Sequence, residues 1–325
     1  MEAIRVHEVG GPEVMKLETL ATPDPGSGQA LVAVSTSGVN FYDVRQRNGD
    51  KPAALPITLG NEGAGTVAAL GPGTDVPGIA VGTRVAWQMV QGSYATHALV
   101  PADALVPLPE AIDDQTAAAV MLQGLTAHSF GCSAYATKSG DVCLVHSAAG
   151  GLGGLLTQIA TARGARVIGT VSTPDKVEPA LKAGASDVIV RSRQRVPDAV
   201  RELTDGRGVD VVYDGIGKDT FDDGLDSLRP LGYMILFGQS SGAVPLFDTH
   251  VLAHHGGRFL TQATIGQYVT DRAQLLSRSA ELFDWIIGGD LKISVAGTYP
   301  LADAADAHVA IGSGATTGKL LLTIG

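Results

Sequence analysis

Cysteine is almost absent from this sequence, which contains only two cysteines in 325 residues. Cys132 and Cys143 form neither a CxxC pair nor the framework of a disulfide-rich fold, and each is typical of a small core residue. A disulfide-stabilised secreted domain is therefore excluded, and the composition predicts a reducing compartment.

Long apolar runs and clusters of positive charge are also missing. No stretch of about 18 or more apolar residues occurs, so we expect no membrane-spanning helix. The first residues, MEAIRVHEVGG, lack the apolar core of a signal peptide. The formal net charge is −10 and no group of lysines and arginines stands out, which argues against a nucleic-acid partner. We therefore expect a cytoplasmic protein that binds neither membranes nor nucleic acid.

Glycine is abundant, with 42 residues, and tight turns or close backbone approaches are therefore expected. The length predicts two domains. Residues up to about 120 read as short strands separated by Gly and Pro clusters, which predicts a mostly-β unit. A helical segment follows at 113–131, with Asp114 or Thr116 as its candidate cap.

The pattern changes again at residue 142. Short apolar runs alternate with helical segments through VCLV, LGGLLTQIATA, RVIGTV and the stretches that follow. This alternation is typical of βαβ units around a buried parallel sheet. The sequence therefore predicts an α/β fold, with a mostly-β unit over about the first 120 residues and a parallel-sheet unit from residue 142 onward.

The glycine run HSAAGGLGG, residues 146–154, follows a predicted strand and opens a predicted helix. Glycines at such a corner let a pyrophosphate approach the backbone N–H groups of the helix N-terminus. The first position of the usual G-x-G-x-x-G fingerprint is Ala148 here. Tight structural packing of a glycine-rich helix start is the alternative, and the strand–turn–helix context favours a dinucleotide site.

The end of the next strand bears on which dinucleotide is bound. An NAD site usually has a carboxylate there, whereas this chain has VSTPDK at 171–176. Hydroxyls and Lys176 suit a 2′-phosphate, which predicts NADPH rather than NADH. Lys176 is otherwise a solvated helix residue, and Asp175 opposes a phosphate if it points inward. Arg191 and Arg193 either add positive charge or face solvent.

Several motifs together resemble one known family. They are GVNFYDVRQRNG (38–49), LGNEGAGTV (59–67), MLQGLTAH (121–128), HSAAGGLGG (146–154), VIGTVSTPDK (167–176), VVYDGIG (211–217), FGQSSGAV (237–244) and GKLLLTI (318–324). On these residues the chain resembles the medium-chain dehydrogenase/reductase superfamily and, within it, the zinc-free NADPH:quinone oxidoreductases that include zeta-crystallin.

The resemblance implies an architecture. It predicts a GroES-like catalytic domain over 1–122, a Rossmann cofactor domain over 123–268, and a C-terminal segment, 269–325, that returns to the catalytic domain. It also implies an active site in the cleft between the domains and a homodimer joined through the edges of the cofactor-domain sheets.

Zinc ligands of the zinc-dependent relatives are absent from the matching positions. Their early cysteine falls near Val39 and Asn40, and their GHE motif reads Gly60-Asn61-Glu62. Two cysteines cannot build a four-cysteine zinc lobe, and the adjacent His254 and His255 cannot act as a helical i, i+4 pair. We therefore expect no metal site.

An enzyme without zinc needs an acceptor that is already electron-poor, such as a quinone. The predicted reaction is metal-free hydride transfer from NADPH to a quinone. One alternative is an enone or 2-alkenal double-bond reductase on the same scaffold. The other is a crystallin-like protein that binds the cofactor with little turnover.

Site residues follow from the resemblance, position by position. It places the pyrophosphate on Gly150, Gly151, Leu152 and Gly153, the adenosine and its 2′-phosphate near Ser172, Lys176 and Arg191, and the nicotinamide half near Thr126, Phe237, Gly238, Ser240 and Asn40. It also counts Lys319 among the cofactor-binding residues. The predicted catalytic residues are Asn40, Tyr42 and Arg45.

Two of these catalytic positions have open alternatives. Arg45 stands where close relatives carry tyrosine, and it either favours an acceptor with negative charge or faces solvent. Tyr42 either donates a proton or packs, and Asp43 is expected to make structural hydrogen bonds near the site.

Overall fold

The computed structural model describes residues 1–253 and 256–324, so His254 and His255 lie outside the described part of the chain. The chain folds into two compact units. Unit 1 comprises 1–124, 271–289 and 293–325, and unit 2 comprises 125–270 and 290–292. The divisions fall two residues from the predicted limits at 122 and 268.

Strands and helices alternate in the order that the sequence patterns suggest. The strands are β1 (Glu2–Val6), β2 (Met15–Thr19), β3 (Gln29–Val39), β4 (Ile57–Thr58), β5 (Glu62–Leu70), β6 (Arg84–Gln88), β7 (His97–Pro101), β8 (Val106–Pro107), β9 (Val142–Val145), β10 (Arg166–Val171), β11 (Asp187–Val190), β12 (Val209–Asp214), β13 (Leu228–Leu236), β14 (Arg258–Gln262), β15 (Val295–Pro300) and β16 (Lys319–Thr323). The helices are α1 (Phe41–Asn48), α2 (Asp114–Ser129), α3 (Gly151–Ala162), α4 (Val177–Lys182), α5 (Val196–Leu203), α6 (Phe221–Ser227), α7 (Arg272–Gly288) and α8 (Ala304–Gly312).

Unit 1 is built on two sheets. A small antiparallel sheet has the order β2-β1-β4, and a seven-stranded sheet has the order β15-β16-β3-β5-β6-β8 with β7 also paired to β3. The last strand of the chain, β16, runs antiparallel to β3 with Leu320 opposite Val39. The C-terminal segment therefore completes the sheet that the N-terminal residues begin.

Unit 2 contains one six-stranded parallel sheet with the order β11-β10-β9-β12-β13-β14. Numbered within the unit this is 3-2-1-4-5-6, the Rossmann order. The order reverses between β9 and β12, and ligands of such sheets bind beyond the carboxyl ends of the strands at this point. The α/β prediction, with one Rossmann-type unit and one GroES-like mostly-β unit, is confirmed.

Helix α2 begins differently from the prediction. Its cap is neither Asp114 nor Thr116 but Asp113, whose Oδ1 accepts the backbone N–H of Thr116 at 2.7 Å. Asp114 instead forms an ion pair with Arg84 at 2.6 Å. Both residues are acidic, and the sequence did not show which carboxylate Arg84 would engage. Within the described ranges, no helix is long and apolar enough to cross a lipid bilayer.

Candidate cofactor and active site

The loop between β9 and α3 packs so closely against the first turn of α3 that Gly153 has no room for a side chain. Ser147 adopts a left-handed backbone with φ of 56°, and its carbonyl accepts the N–H of Gly150 at 2.8 Å. A Cβ on Gly153 would overlap that same carbonyl oxygen, whereas one on Gly154 would lie 3.5 Å from the oxygen of Ala148. Gly153 is therefore the position where this corner requires glycine.

The N-terminus of α3 is open for an anion. The helix begins at Gly151, and no side chain of the described residues caps it. The first N–H groups of a helix, here those of Gly151, Leu152 and Gly153, have no intrahelical acceptor and lie at the positive end of the helix dipole. Glycine packing and unsatisfied N–H groups together fit the pyrophosphate of a dinucleotide.

His146 begins this loop, and its Nδ1 is engaged within unit 2. Its side chain is buried, its Nδ1 lies 3.0 Å from the hydroxyl of Thr170, and burial lowers its pKa. We therefore treat it as a support of the loop.

Two basic residues follow the neighbouring strands β10 and β11. Lys176 ends the turn after β10 and is largely buried, and the N–H of Arg191 donates to the carbonyl of Val171 at 2.9 Å. The Nε of Arg191 is buried and has no hydrogen-bond partner within the described part of the chain. Ser172 is half-buried at the same strand end. This edge therefore combines positive charge with a hydroxyl.

Asp175 lies in the turn between Ser172 and Lys176. Its side chain is exposed, and a hydrogen bond from Thr173 lowers its pKa. Arg193, the other basic candidate of this region, is also exposed. Lys176 and Arg191 are thus the two cations that the fold holds near the β10 end.

The nicotinamide candidates of unit 2 follow β13 and lie on α2. A Cβ on Gly238 would overlap the carbonyl oxygen of Gly215, so the loops after β12 and β13 touch backbone to backbone. The ring of Phe237 lies 5.2 Å from that of Phe130, and Thr126 is buried. Ser240 is exposed.

Asp214, which the sequence analysis did not single out, organises the loop after β12. Its Oδ1 accepts the N–H groups of Ile216 and Gly217 at 2.7 and 3.1 Å and the hydroxyl of Thr220 at 2.9 Å. An aspartate followed by GIG at the end of an apolar strand was the signal that could have identified it.

Unit 1 surrounds Asn40 with charge. Asn40 precedes α1, its Oδ1 accepts the ammonium of Lys319 at 2.8 Å, and its Nδ2 donates to Oε2 of Glu62 at 3.0 Å. Lys319 and Glu62 form an ion pair of 2.6 Å with side chains 1% and 0% exposed. Among the predicted site residues, the fold thus brings Asn40 and Lys319 into contact, and it adds Glu62.

A second part of this network begins at Asp43. Its Oδ1 accepts the Asn61 amide at 2.6 Å, and its Oδ2 accepts the backbone N–H of Asn40 at 2.9 Å. Burial raises the pKa of Asp43 to about 6, against the lowering effect of these hydrogen bonds. The expected structural role of Asp43 is thus matched by two hydrogen bonds.

The asparagine at the second position of the GNE motif is held through its amide nitrogen. Its Nδ2 donates to both Asp43 and Gln46, each at 2.6 Å. No group of three or more His, Cys, Asp or Glu residues in the described ranges is arranged to hold a metal ion.

Tyr42 and Arg45 lie on the half-buried face of α1. The ammonium of Lys51 lies 4.7 Å from the centre of the Tyr42 ring, a cation–π contact. The backbone N–H of Lys51 also donates to the carbonyl of Arg45 at 2.8 Å. The segment after α1 thus folds back on it and places a second cation near Tyr42.

Two family profiles match the chain. Residues 26–110 match the alcohol dehydrogenase GroES-like domain, and residues 151–280 match the zinc-binding dehydrogenase family. The first match lies within the predicted catalytic domain, and the second begins in the predicted cofactor domain and extends past its limit at 268.

Curated proteins are similar over almost the whole length. Quinone oxidoreductase 1 of Escherichia coli is 40% identical and is covered to 98%, as is this chain. A 2-haloacrylate reductase of Burkholderia is 39% identical, with 98% of this chain and 97% of that protein covered. Among solved structures, E. coli quinone oxidoreductase complexed with NADPH has 39% identity and a TM-score of 0.96, with 99% of this chain and all of that chain covered.

Proposed function

The chain belongs to the zinc-free quinone oxidoreductases of the medium-chain dehydrogenase/reductase family, and from this premise we propose that it reduces a quinone with NADPH. Full-length relatives at about 40% identity carry that name. The relative crystallised with NADPH supports the choice of cofactor.

The single observation that carries the cofactor proposal is the corner between β9 and α3. Gly153 leaves no room for a Cβ, and the uncapped N–H groups of α3 bind the pyrophosphate. Lys176, Arg191 and Ser172 bind the adenosine 2′-phosphate, since two cations and a hydroxyl suit that group. When bound, the reduced nicotinamide supplies the hydride.

The remaining site residues orient the reactants. Phe237, Gly238 and Ser240 follow β13 and line the nicotinamide, while Thr126 contacts its ribose. Asn40 lies beside the nicotinamide and Tyr42 and Arg45 contact the acceptor. Positioning of this kind lowers the barrier because the reactants no longer lose translational and rotational freedom in the reaction step.

The test is NADPH oxidation measured with and without 1,4-benzoquinone, and repeated with NADH. We expect acceptor-dependent oxidation that prefers NADPH. Tight NADPH binding without turnover on any quinone or enone would support the crystallin-like alternative instead. Metal analysis of the active protein that finds about one zinc per chain would contradict the metal-free reaction.

Reduction of a conjugated carbonyl double bond is the second candidate. The 2-haloacrylate reductase that matches the whole chain is named for such a substrate, and Arg45 places a cation where a carboxylate of the acceptor would be stabilised. Turnover of 2-chloroacrylate, compared with that of benzoquinone, separates the two candidates.

We also propose a homodimer formed through β14. This strand lies at the edge of the described parallel sheet, and its Phe259 is 48% exposed although its ring stacks on Tyr233 at 4.5 Å. Leu246 is fully exposed in the segment before it. An unpaired edge strand with exposed apolar side chains is a template for pairing with a second chain. Light scattering that gives the mass of one chain would contradict the dimer.

We propose the cytoplasm as the compartment. A chain with only two cysteines and a reduced dinucleotide as its cofactor suits a reducing compartment. Fractionation of cells that express the protein at native level tests this placement.

A further inference from the structure

The nitrogen and the oxygen of the Asn40 side-chain amide each contact a charged group, one of which only accepts hydrogen bonds while the other only donates them. The Glu62 carboxylate can only accept hydrogen bonds and the Lys319 ammonium can only donate them. The amide nitrogen must therefore face Glu62 and the amide oxygen must face Lys319, as the distances of 3.0 and 2.8 Å show. The second hydrogen of the amide donates to the carbonyl of Gly38 at 3.3 Å. The orientation of this amide is thus defined by its neighbours.

Strand register brings the three residues together. Leu320 pairs with Val39, so the next residues along the two antiparallel strands, Lys319 and Asn40, adjoin each other. Glu62 begins β5, which pairs with β3 on its other side. The contact is therefore built by the central strands of the unit 1 sheet.

The Glu62 carboxylate has little freedom to move. Its second oxygen, Oε1, accepts the backbone N–H of Leu122 in α2 at 2.5 Å. A Cβ on Gly38 would overlap Oε2, so the carboxylate lies directly against the backbone of β3. One carboxylate therefore links the start of α1 to the middle of α2.

A buried ion pair is a poor source of stability for its own sake. Removing both charges from water is energetically costly, and well-packed apolar residues often stabilise a fold as well or better. The Lys319–Glu62 pair instead orients the Asn40 amide, because each member makes a short hydrogen bond to that amide.

We propose that Glu62 and Lys319 are a positioning pair that fixes the orientation of the Asn40 amide for the reaction. The inference rests on the proposed function, in which Asn40 lies beside the nicotinamide. Lys319 then acts through Asn40 and does not bind the cofactor itself. Both amide hydrogens are used within unit 1, so Asn40 can meet a ligand only through Oδ1, which accepts a hydrogen bond.

The decisive variant is the double substitution Glu62→Gln and Lys319→Met, which removes both charges and nearly conserves volume. We expect its melting temperature to stay close to that of the wild type and its dissociation constant for NADPH to change little. Its kcat with benzoquinone should fall by about 10- to 100-fold, because misplacement of a contact by about 1 Å can cost about 100-fold.

Asp114→Asn is the matched control. Asp114 also joins the unit 1 sheet to α2 through an ion pair, with Arg84, and it accepts the hydroxyl of Ser35 at 2.6 Å. Its loss should lower the melting temperature and leave kcat unchanged. A double variant that keeps the wild-type kcat and KM would overturn the positioning role.

A second measurement does not depend on the folding of a variant. In wild-type protein labelled with ¹⁵N-asparagine, both side-chain amide hydrogens of Asn40 should exchange slowly with solvent, with the signal assigned by its loss in Asn40→Ser. Fast exchange would overturn the inference even if the double variant does not fold. Wild-type protein without NADPH–quinone turnover would refute the proposed function, and the positioning role with it.

Discussion

The hydroxyl of Tyr94 lies 3.1 Å from Nε2 of His308, and both residues are buried in unit 1. Arg47 approaches the other ring nitrogen, Nδ1, at 3.3 Å. Because a guanidinium only donates, Nδ1 accepts and Nε2 carries the proton of the neutral ring. The Tyr94 oxygen then accepts from His308, and its own proton points to Oδ2 of Asp43 at 3.5 Å.

Replacement of His308 by Gln should change how stability depends on pH. Burial, and then the charge of Arg47, lower the pKa of His308 from 6.5 to about 3. Below pH 6.5 His308 is therefore protonated in the unfolded chain but stays neutral in the folded chain. The free energy of unfolding decreases as the pH falls, by at most about 1.4 kcal/mol per pH unit. The variant should lose less stability than the wild type between pH 6.5 and 5. Urea unfolding followed by the fluorescence of Trp87 and Trp285, both in unit 1, measures this.

Replacement of Asp43 by Asn should have the opposite pH signature. The pKa of Asp43 is raised from 3.8 to about 6, so between these values the folded state holds a proton that the unfolded state releases. The stability due to this proton is present below pH 3.8 and is lost as the pH rises through 6. The stability of Asp43→Asn relative to wild type should therefore increase from pH 4 to pH 6 and then level off, in the same fluorescence experiment. A difference that stays constant with pH would contradict the raised pKa.

The glycine corner can be tested with two adjacent substitutions. Gly153→Ala places a Cβ against the carbonyl oxygen of Ser147, so the loop must move and the affinity for NADPH should fall by about tenfold or more, a loss of about 1.4 kcal/mol. Gly154→Ala meets only an ordinary contact of 3.5 Å in the same helix. It should bind NADPH normally and gain about 0.5–1 kcal/mol in stability. NADPH titration by fluorescence and thermal melting distinguish the two, and equal affinities would contradict the corner as the pyrophosphate site.

The preference between the two dinucleotides should depend on Lys176. Lys176→Ala should raise KM for NADPH by about tenfold or more and change KM for NADH little, since only NADPH carries the extra phosphate. Lys182→Ala is the control, because its side chain is 74% exposed and forms an ion pair with Glu178 at 3.4 Å. Steady-state kinetics with both dinucleotides decide the matter. Equal effects on the two KM values would show that Lys176 is not the phosphate ligand.

We expect Arg45 to make kcat/KM depend on the charge of the acceptor. Arg45→Gln should lower kcat/KM for 2-chloroacrylate by about tenfold, as expected for the loss of a charge-assisted hydrogen bond, and leave the value for neutral benzoquinone nearly unchanged. Parallel assays of both acceptors at saturating NADPH measure the ratio. A similar loss on both acceptors would assign Arg45 a structural role, and no loss on either would place it in solvent.

Local patterns were sufficient to predict the architecture. Alternating apolar runs and helical segments predict a parallel sheet because each pattern reflects burial of its own segment. The run HSAAGGLGG predicts a bare-backbone corner because the conformational freedom of glycine is a property of the residue itself. The position of the α2 cap was predicted wrongly, because Asp113 and Asp114 have the same chemistry and only the location of Arg84 separates their roles.

The sequence by itself thus determined the fold class, the glycine corner and the motifs of the family. Only the tertiary structure decided that Lys319 meets Glu62 and Asn40, because these residues are far apart in the chain and the register of β16 on β3 brings them together. It likewise decided that Tyr94 contacts His308. Such contacts depend on how distant strands and helices pack, and no pattern within a single segment encodes that packing. Burial then strengthens the charge interactions between the residues that meet.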